Sequence, residues 1–305
     1  MLNFLRLIRF PNLLIIMLTQ VLVRYCLILP AFKTEYFVTG IFPKYLSDTN
    51  FAILVLSTLL IAAAGYIIND YFDIHIDEIN KPKKNVVGIT ISKKTAINLF
   101  YTLSIFGVAL GFYLAVQISK PTMGFLSFFS AISLWMYSSY YKRQLFSGNI
   151  IVSVLCALSI LIVGLYEPEF YRNFIYLIWF AIPAFILSLI REITKDMEDI
   201  EGDELSQCKT APIVLGISKT KIIVNSLIIV LATYISYTIY SYFYTNNVIN
   251  FWYLIILYLI PISALFYLVY TAREKKDFYY ASQFSKILML GGVISIFFFW
   301  FYFLK

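Results

Sequence analysis

A chain of 305 residues with 61% hydrophobic and only 13% charged side chains carries about half the charge of an ordinary soluble domain. Its mean hydropathy is +0.80 and its net charge is +7, a basic balance that could point to nucleic acid. The basic residues sort by loop instead, and three scattered cysteines (Cys26, Cys156 and Cys208) exclude a disulfide framework or a thiolate metal site.

Arg6 and Arg9 precede the first apolar stretch, 10–31, which contains Arg24 and is too long for the core of a cleaved signal peptide. The second stretch, 50–69, ends in Asn69-Asp70-x-x-Asp73-x-x-x-Asp77, and a basic loop with Pro82 follows. Stretches at 95–117, 122–141 and 149–166 come next; the fourth of the series carries Tyr137-Ser138, followed by Lys142-Arg143 and Gly148-Asn149. The sixth, 174–193, runs through Arg191-Glu192 into Asp196-x-x-Asp199-x-x-x-Asp203, again ahead of a polar loop with Pro212. Stretches 221–244, 251–271 and 286–304 complete the set. Each approaches the ~20 residues that cross a hydrocarbon core of ~30 Å. Backbone groups inside that core must be satisfied within the segment, which at these lengths means helix. The chain reads as a single all-α domain over residues 1–305, a polytopic bundle of about nine transmembrane helices. The order span, acidic cluster, basic loop, span occurs twice, around 69–94 and 191–219, so two halves are expected to contribute equivalent jaws.

The N-terminus and the connections at 70–94, 142–148, 191–221 and 272–286 hold 18 Lys or Arg, against five on the alternate side: Lys33, Lys44, Lys120, Arg172 and Lys305. This asymmetry puts the N-terminus and both acidic clusters in the cytoplasm, with the protein in a plasma or inner membrane among its lipids. Charge accounted for by topology gives no support to a nucleic-acid partner. Arg24, alone inside a span, is expected to snorkel to the outer interface or to pair inside the bundle.

Carboxylates three, four and seven residues apart share one helix face. Such a face repels itself unless it holds cations. Hard oxygen donors at this density suit Mg²⁺, which takes a few carboxylates and completes its shell with water and substrate phosphate. Two such faces opposite each other make a clamp for a diphosphate. The single His75 is expected to be an ordinary polar residue, since hard-metal sites favour oxygen. Cys26 and Cys156 read as small buried hydrophobes, and Cys208 as a residue of an open polar loop.

The run Asn69-Asp70-Tyr71-Phe72-Asp73-Ile74-His75-Ile76-Asp77, followed by Asn80-Lys81-Pro82, resembles the first aspartate motif of the UbiA superfamily of intramembrane prenyltransferases. Arg191 to Asp203, with Lys209-Thr210-Ala211-Pro212, is similar to its second motif, and Tyr137-Ser138 with Lys142-Arg143 and Gly148-Asn149 to a third. Arg9-Phe10-Pro11-Asn12 resembles the family's N-terminal segment as closely as it resembles an ordinary interfacial anchor. The resemblance implies a UbiA-like bundle, Mg²⁺ as cofactor and transfer from a polyprenyl diphosphate, with geranylgeranyl diphosphate favoured. It implies Asn69, Asp73, Asp77, Asp196, Asp199 and Asp203 as metal ligands, with Asp70 and Glu192 in support. Lys142 and Lys195 become the main cations on the phosphates, Arg191, Lys209 and Arg143 lesser ones, and Tyr137 either a ring facing the developing carbocation or a group that orders the acceptor. Asp73, Asp199, Lys142 and Tyr137 form the implied catalytic set. This chain departs from the family after Pro82, where Lys83-Lys84-Asn85-Val86 keeps the charge without a second proline. The wording of the second motif is closest to the digeranylgeranylglyceryl phosphate synthase-like branch, which implies geranylgeranylglyceryl phosphate as acceptor. An aromatic acceptor (4-hydroxybenzoate or dihydroxynaphthoate) is the alternative within the family. A secondary transporter is the alternative outside it, and transporters place their charges at broken helices within the spans.

Overall fold

The computed structural model describes residues 2–32, 46–80, 86–167, 174–243, 252 and 255–301. Lys81, Pro82, Lys83, Lys84, Asn85, Lys33, Lys44, Arg172, Lys305 and the His75 side chain lie outside the described parts. Seven of the described helices are long and apolar enough to cross a membrane, so the protein is an integral membrane protein.

A short α1 (Leu2–Leu7) leads into α2 (Phe10–Leu22), which continues through a π-type turn, Val23–Ile28, to Phe32. The long α3 (Asp48–Phe72) starts where Ser47 accepts a hydrogen bond from the Asn50 amide, and short α4 (Ile74–Asn80) follows it. Ser92 caps α5 (Lys93–Gln117) in the same way, through the Thr95 amide. Then come α6 (Gly124–Ser139), α7 (Ser147–Leu165) and α8 (Phe174–Glu198), followed by the short α9 (Ile200–Leu205) and α10 (Ala211–Leu215). The bundle closes with α11 (Ile217–Phe243), α12 (Ile260–Thr271, entered through a π-type turn at Ile255–Leu259) and α13 (Lys275–Phe299). Counting α6 and the 17-residue run Ile255–Thr271 with the seven long helices, about nine apolar helices are described, as expected.

One boundary differs in a way that matters. The ninth span was expected to begin at 286, yet α13 begins at Lys275, where Glu274 and Asp277 form a reciprocal capping box. Hydropathy reports where the apolar part of a helix starts, whereas polar first turns register only through their caps.

Helices α3, α5 and α6 pack together as one group, and α8, α11, α12 and α13 as another, with α2 and α7 between them. Glycines permit the closest crossings: a Cβ on Gly107 would meet Ile61 of α3 at 2.8 Å, and one on Gly111 would meet Ser127 Oγ of α6 at 2.1 Å. Pro183 sits inside α8, where it removes a backbone donor and weakens one helical turn. Between the groups lies a cavity of about 460 Å³, walled by α2, α3, α6, α7, α8, α11, α12 and α13.

Arg24 lies fully buried in the π-type turn and is paired inside the bundle rather than snorkelling, with Glu167 Oε1 at 2.6 Å from its Nη1. Cys26 is buried as expected, whereas Cys156 is half-buried and lines the cavity. Cys208 departs from its expected open position: it is 5% exposed, because its backbone amide folds back onto the Asp203 carbonyl and tucks the side chain under the loop.

Candidate active site

Both acidic runs begin on a long helix and cross a break into a short one. Asp73 caps the C-terminus of α3 with φ −91° and ψ 1°, and Asp199 stands between α8 and α9 with φ −94° and ψ 9°. Each break keeps the i to i−4 backbone bond, Asp73 to Asn69 at 3.0 Å and Asp199 to Lys195 at 2.9 Å, so the acidic side chains stay in nearly helical register while the axis turns. The two short helices α4 and α9 pack against each other. That contact brings together clusters more than a hundred residues apart in the chain.

On the first jaw, Asn69 donates its amide to Asp73 Oδ2 at 2.8 Å, and Lys142 donates to Asp73 Oδ1. The other amide atom, Asn69 Oδ1, is buried without a hydrogen-bond partner and Asn69 lines the cavity. A buried acceptor left without a donor is costly, and an amide oxygen is a donor type that hard cations accept. Asp70 points elsewhere, receiving Arg9 Nη2 at 2.8 Å. Arg9 also lies over the Tyr66 ring at 5.0 Å and adopts a left-handed conformation, φ 49°, at the start of α2. That strain is held by the ion pair.

On the second jaw, Asn149 at the start of α7 donates to Asp196 Oδ2 at 2.8 Å, and Arg191 pairs with the buried Glu192. Asp199 is buried, and Asp77 and Asp203 are half-buried. Among the described residues, no three acidic side chains converge on one point, and Asp70, Asp73 and Asp196 each engage a different partner.

The turn at 141–143 joins the two jaws. Gly148 makes this possible: a Cβ there would lie 2.6 Å from the Lys142 Cα and 2.9 Å from the Tyr141 carbonyl oxygen. Phe146, at φ 57°, starts α7 in the left-handed region. Lys142 lies beside Asp73 with its side chain 10% exposed, and desolvation together with nearby Lys195 and Arg143 pushes its ammonium down to about 7. The Lys209 amide donates to the Arg143 carbonyl at 2.7 Å, while the Lys209 side chain is exposed.

The structure therefore gathers Asn69, Tyr137, Arg191 and Lys195 on the polar end of the cavity, with Lys142 and Asp73 paired beside it. Away from that end the wall is apolar, including Ile61, Leu134, Leu158, Pro183, Phe298 and Phe299. Three contacts were not evident in the sequence: Arg9 on Asp70, Asn149 on Asp196, and Lys286 in the cavity wall. By hydropathy Lys286 falls at the end of the basic loop 272–286. The capping pattern Glu274-x-x-Asp277 is the signal that would have moved it into a helix.

The UbiA prenyltransferase family matches residues 37–302. Digeranylgeranylglyceryl phosphate synthase of Methanosphaera stadtmanae is 31% identical over 252 residues, covering 81% of this chain and 87% of that protein. The protein of the same name from Saccharolobus solfataricus is 38% identical over 190 residues, 61% of this chain and 64% of its own. Among solved structures, a digeranylgeranylglyceryl phosphate synthase in membranes superposes with a TM-score of 0.66 at 22% identity, covering 97% of this chain and 96% of that one. A UbiA homolog from Archaeoglobus fulgidus bound to DMAPP and Mg²⁺ gives a TM-score of 0.57 at 15% identity, with 97% and 99% covered. At those identities the structural likeness concerns the fold.

Proposed function

This chain belongs to the UbiA prenyltransferase family, and we propose that it transfers a geranylgeranyl group from its diphosphate to geranylgeranylglyceryl phosphate, using Mg²⁺. The observation that carries this reading is the contact between two acidic helix breaks above a cavity whose deeper wall is apolar. The polar end suits a diphosphate and the apolar wall suits an isoprenoid chain. The acceptor follows the name shared by the relatives at 31% and 38% identity. The basic loops favour an acidic end that faces the cytoplasm, in a plasma or inner membrane. Residues 1–305 act as one domain.

Asn69, Asp73 and Asp77 on one jaw, and Asp196, Asp199 and Asp203 on the other, are the residues that would hold the ions. The orphaned Asn69 Oδ1 supports that fit. Bound Mg²⁺ supplies charge neutralisation for the departing diphosphate. The chain's own cations add to this. To Lys142 and Lys195 we assign the charge that phosphate oxygens gather as the allylic C–O bond breaks, with Arg191, Arg143 and Lys209 as lesser cations. The bond's electron pair leaves with the diphosphate. To the ring of Tyr137, in the cavity wall, we assign stabilisation of the allylic carbon that becomes electron-poor. The acceptor hydroxyl oxygen then forms the new ether bond, and its proton passes to the released diphosphate. The apolar wall keeps water from intercepting the cation.

The test is prenyl transfer in nanodiscs with labelled geranylgeranyl diphosphate, offering geranylgeranylglyceryl phosphate, 4-hydroxybenzoate and dihydroxynaphthoate in parallel, with and without Mg²⁺. The expected result is a magnesium-dependent ether on the glyceryl phosphate acceptor, lost in Asp73→Ala and in Asp199→Ala. Product on an aromatic acceptor alone would keep the mechanism and replace the acceptor.

A further inference from the structure

Lys286 sits about three turns, roughly 16 Å, into α13 and lines the cavity. It stands where the polar first turns of α13 give way to the apolar run, and a lysine facing into a bundle there is retained where it meets a partner or a substrate. Its Nζ donates to Asn12 Oδ1 at 2.8 Å, a neutral acceptor. Asn12 is held in turn by a hydrogen bond with the Tyr66 side chain on α3. Arg191 on α8 and Arg9 at the start of α2, both positive, act on Lys286 from the packed elements, and Glu192 and Lys195 share the cavity wall with it. Each of those arginines has its own carboxylate, Asp70 for Arg9 and Glu192 for Arg191. Among the described residues Lys286 has none. The cavity wall between α2, α8 and α13 thus carries at Lys286 a positive charge with no carboxylate paired to it among the described residues.

We propose that Lys286, oriented by Asn12, binds the phosphate monoester of the acceptor, and so selects a phosphorylated lipid over a neutral or aromatic one. The inference rests on the acceptor reading above. A dianionic phosphate supplies the counter-charge that the protein lacks at this point, and an ammonium meets it as a point charge without requiring a planar fork. Bringing a charged head to a fixed place in the cavity also orients the glycerol hydroxyl toward the allylic carbon. The donor is assigned Lys142 and Lys195 as its main cations, and Lys286 is assigned to the acceptor.

The experiment is steady-state transfer in nanodiscs by wild type, Lys286→Met, Lys286→Arg and Asn12→Asp. Each substrate is varied with the other saturating, and geranylgeranylglycerol serves as the acceptor without phosphate. For Lys286→Met the expected result is a rise of at least tenfold in KM for geranylgeranylglyceryl phosphate, with donor KM within twofold of wild type. Lys286→Arg recovers part of the loss. Asn12→Asp, which keeps the lysine and gives it a counter-charge, raises acceptor KM in the same direction. The preference of wild type for the phosphorylated acceptor over geranylgeranylglycerol collapses in Lys286→Met. A rise in donor KM instead would assign Lys286 to the diphosphate and overturn the proposal, as would unchanged constants in a folded variant. If wild type transfers only to an aromatic acceptor, the acceptor reading itself has failed and this inference falls with it. If wild type uses the glyceryl phosphate and Lys286→Met keeps its acceptor KM, the inference alone has failed.

Discussion

The Lys142 side chain reaches Asp73 because the backbone of its turn lies against Gly148. A methyl group at 148 would stand 2.6 Å from the Lys142 Cα, so the turn must move away from α7. Gly148→Ala touches no substrate, yet it should lower kcat by roughly 10²-fold, the scale of an ångström of misplacement. Lys142→Met should cost about 10²–10³-fold, as loss of one preorganised charge does. The two losses should not add: in the Lys142→Met background, Gly148→Ala should have little further effect, which a double-mutant cycle in kcat reads directly. Additive losses would mean that the glycine acts elsewhere. The acidic residues at the two helix breaks were legible in the sequence as carboxylates at helical spacing beside apolar runs. The glycine was legible only as part of a resemblance. Lys286 was not legible, since a lysine at the edge of an apolar run looks like a loop residue until the helix start is placed at Glu274.

Helix α5 shows what the sequence leaves open at the level of an element. Its apolar run announced a span at 95–117, close to the observed Lys93–Gln117, but the run does not say which face meets which neighbour. Gly107 and Gly111, four residues apart, form the face that touches α3 and α6, where Ser57 Oγ donates to the Gly107 carbonyl at 2.7 Å. A Cβ on Gly111 would meet Ser127 Oγ at 2.1 Å and Ser127 Cβ at 2.6 Å, and a serine is too short to swing clear. Gly111→Ala should therefore destabilise the bundle by about 1–3 kcal/mol through overpacking. Gly291→Ala in α13 meets nothing within 4 Å and should be neutral or slightly stabilising, since alanine is the better helix former. Thermal unfolding of the two variants in the same detergent checks the pair; equal midpoints would refute the packing argument. The repeated order of span and acidic cluster was legible and is realised twice, as α3 followed by α4 and as α8 followed by α9. The π-type turns at Val23–Ile28 and Ile255–Leu259 carry no signature in composition, because they change the backbone register without changing which residues are apolar.

At the scale of the whole molecule, the end of the bundle away from the acidic jaws is tied by charge. From Asp48 to Phe72, α3 rises about 36 Å, so Arg24 and its partners lie far from Asp73. Arg24 and Glu167 are both fully buried; Arg24 also donates to the Leu46 carbonyl, and Glu167 accepts from the Leu46 amide at 2.7 Å. This joins α2, the approach to α3 and the end of α7 in one network. Lys120 Nζ adds a contact to the Glu167 carbonyl at 3.3 Å. Burial pushes the Glu167 carboxyl above its ordinary range, against the pull of the Leu46 amide and Arg24. The pair to Asp48 is different, because that carboxylate is 78% exposed and contributes little. Spans and their number were legible from hydropathy, but a partner 143 residues away was not, and so Arg24 alone could be read as paired or as snorkelling. Arg24→Met leaves Glu167 charged without its guanidinium and should cost about 3–5 kcal/mol. The double variant Arg24→Met/Glu167→Met removes both charges and should recover a large part of that loss, for the same reason that apolar replacement of a buried pair is often neutral. The readout is the midpoint of denaturation in mixed micelles, together with donor KM measured well below it. Donor KM should stay within twofold of wild type in both variants, because the network holds the far end of the bundle and not the jaws. A large change in donor KM without loss of stability would show instead that this end shapes the cavity in which the isoprenoid lies.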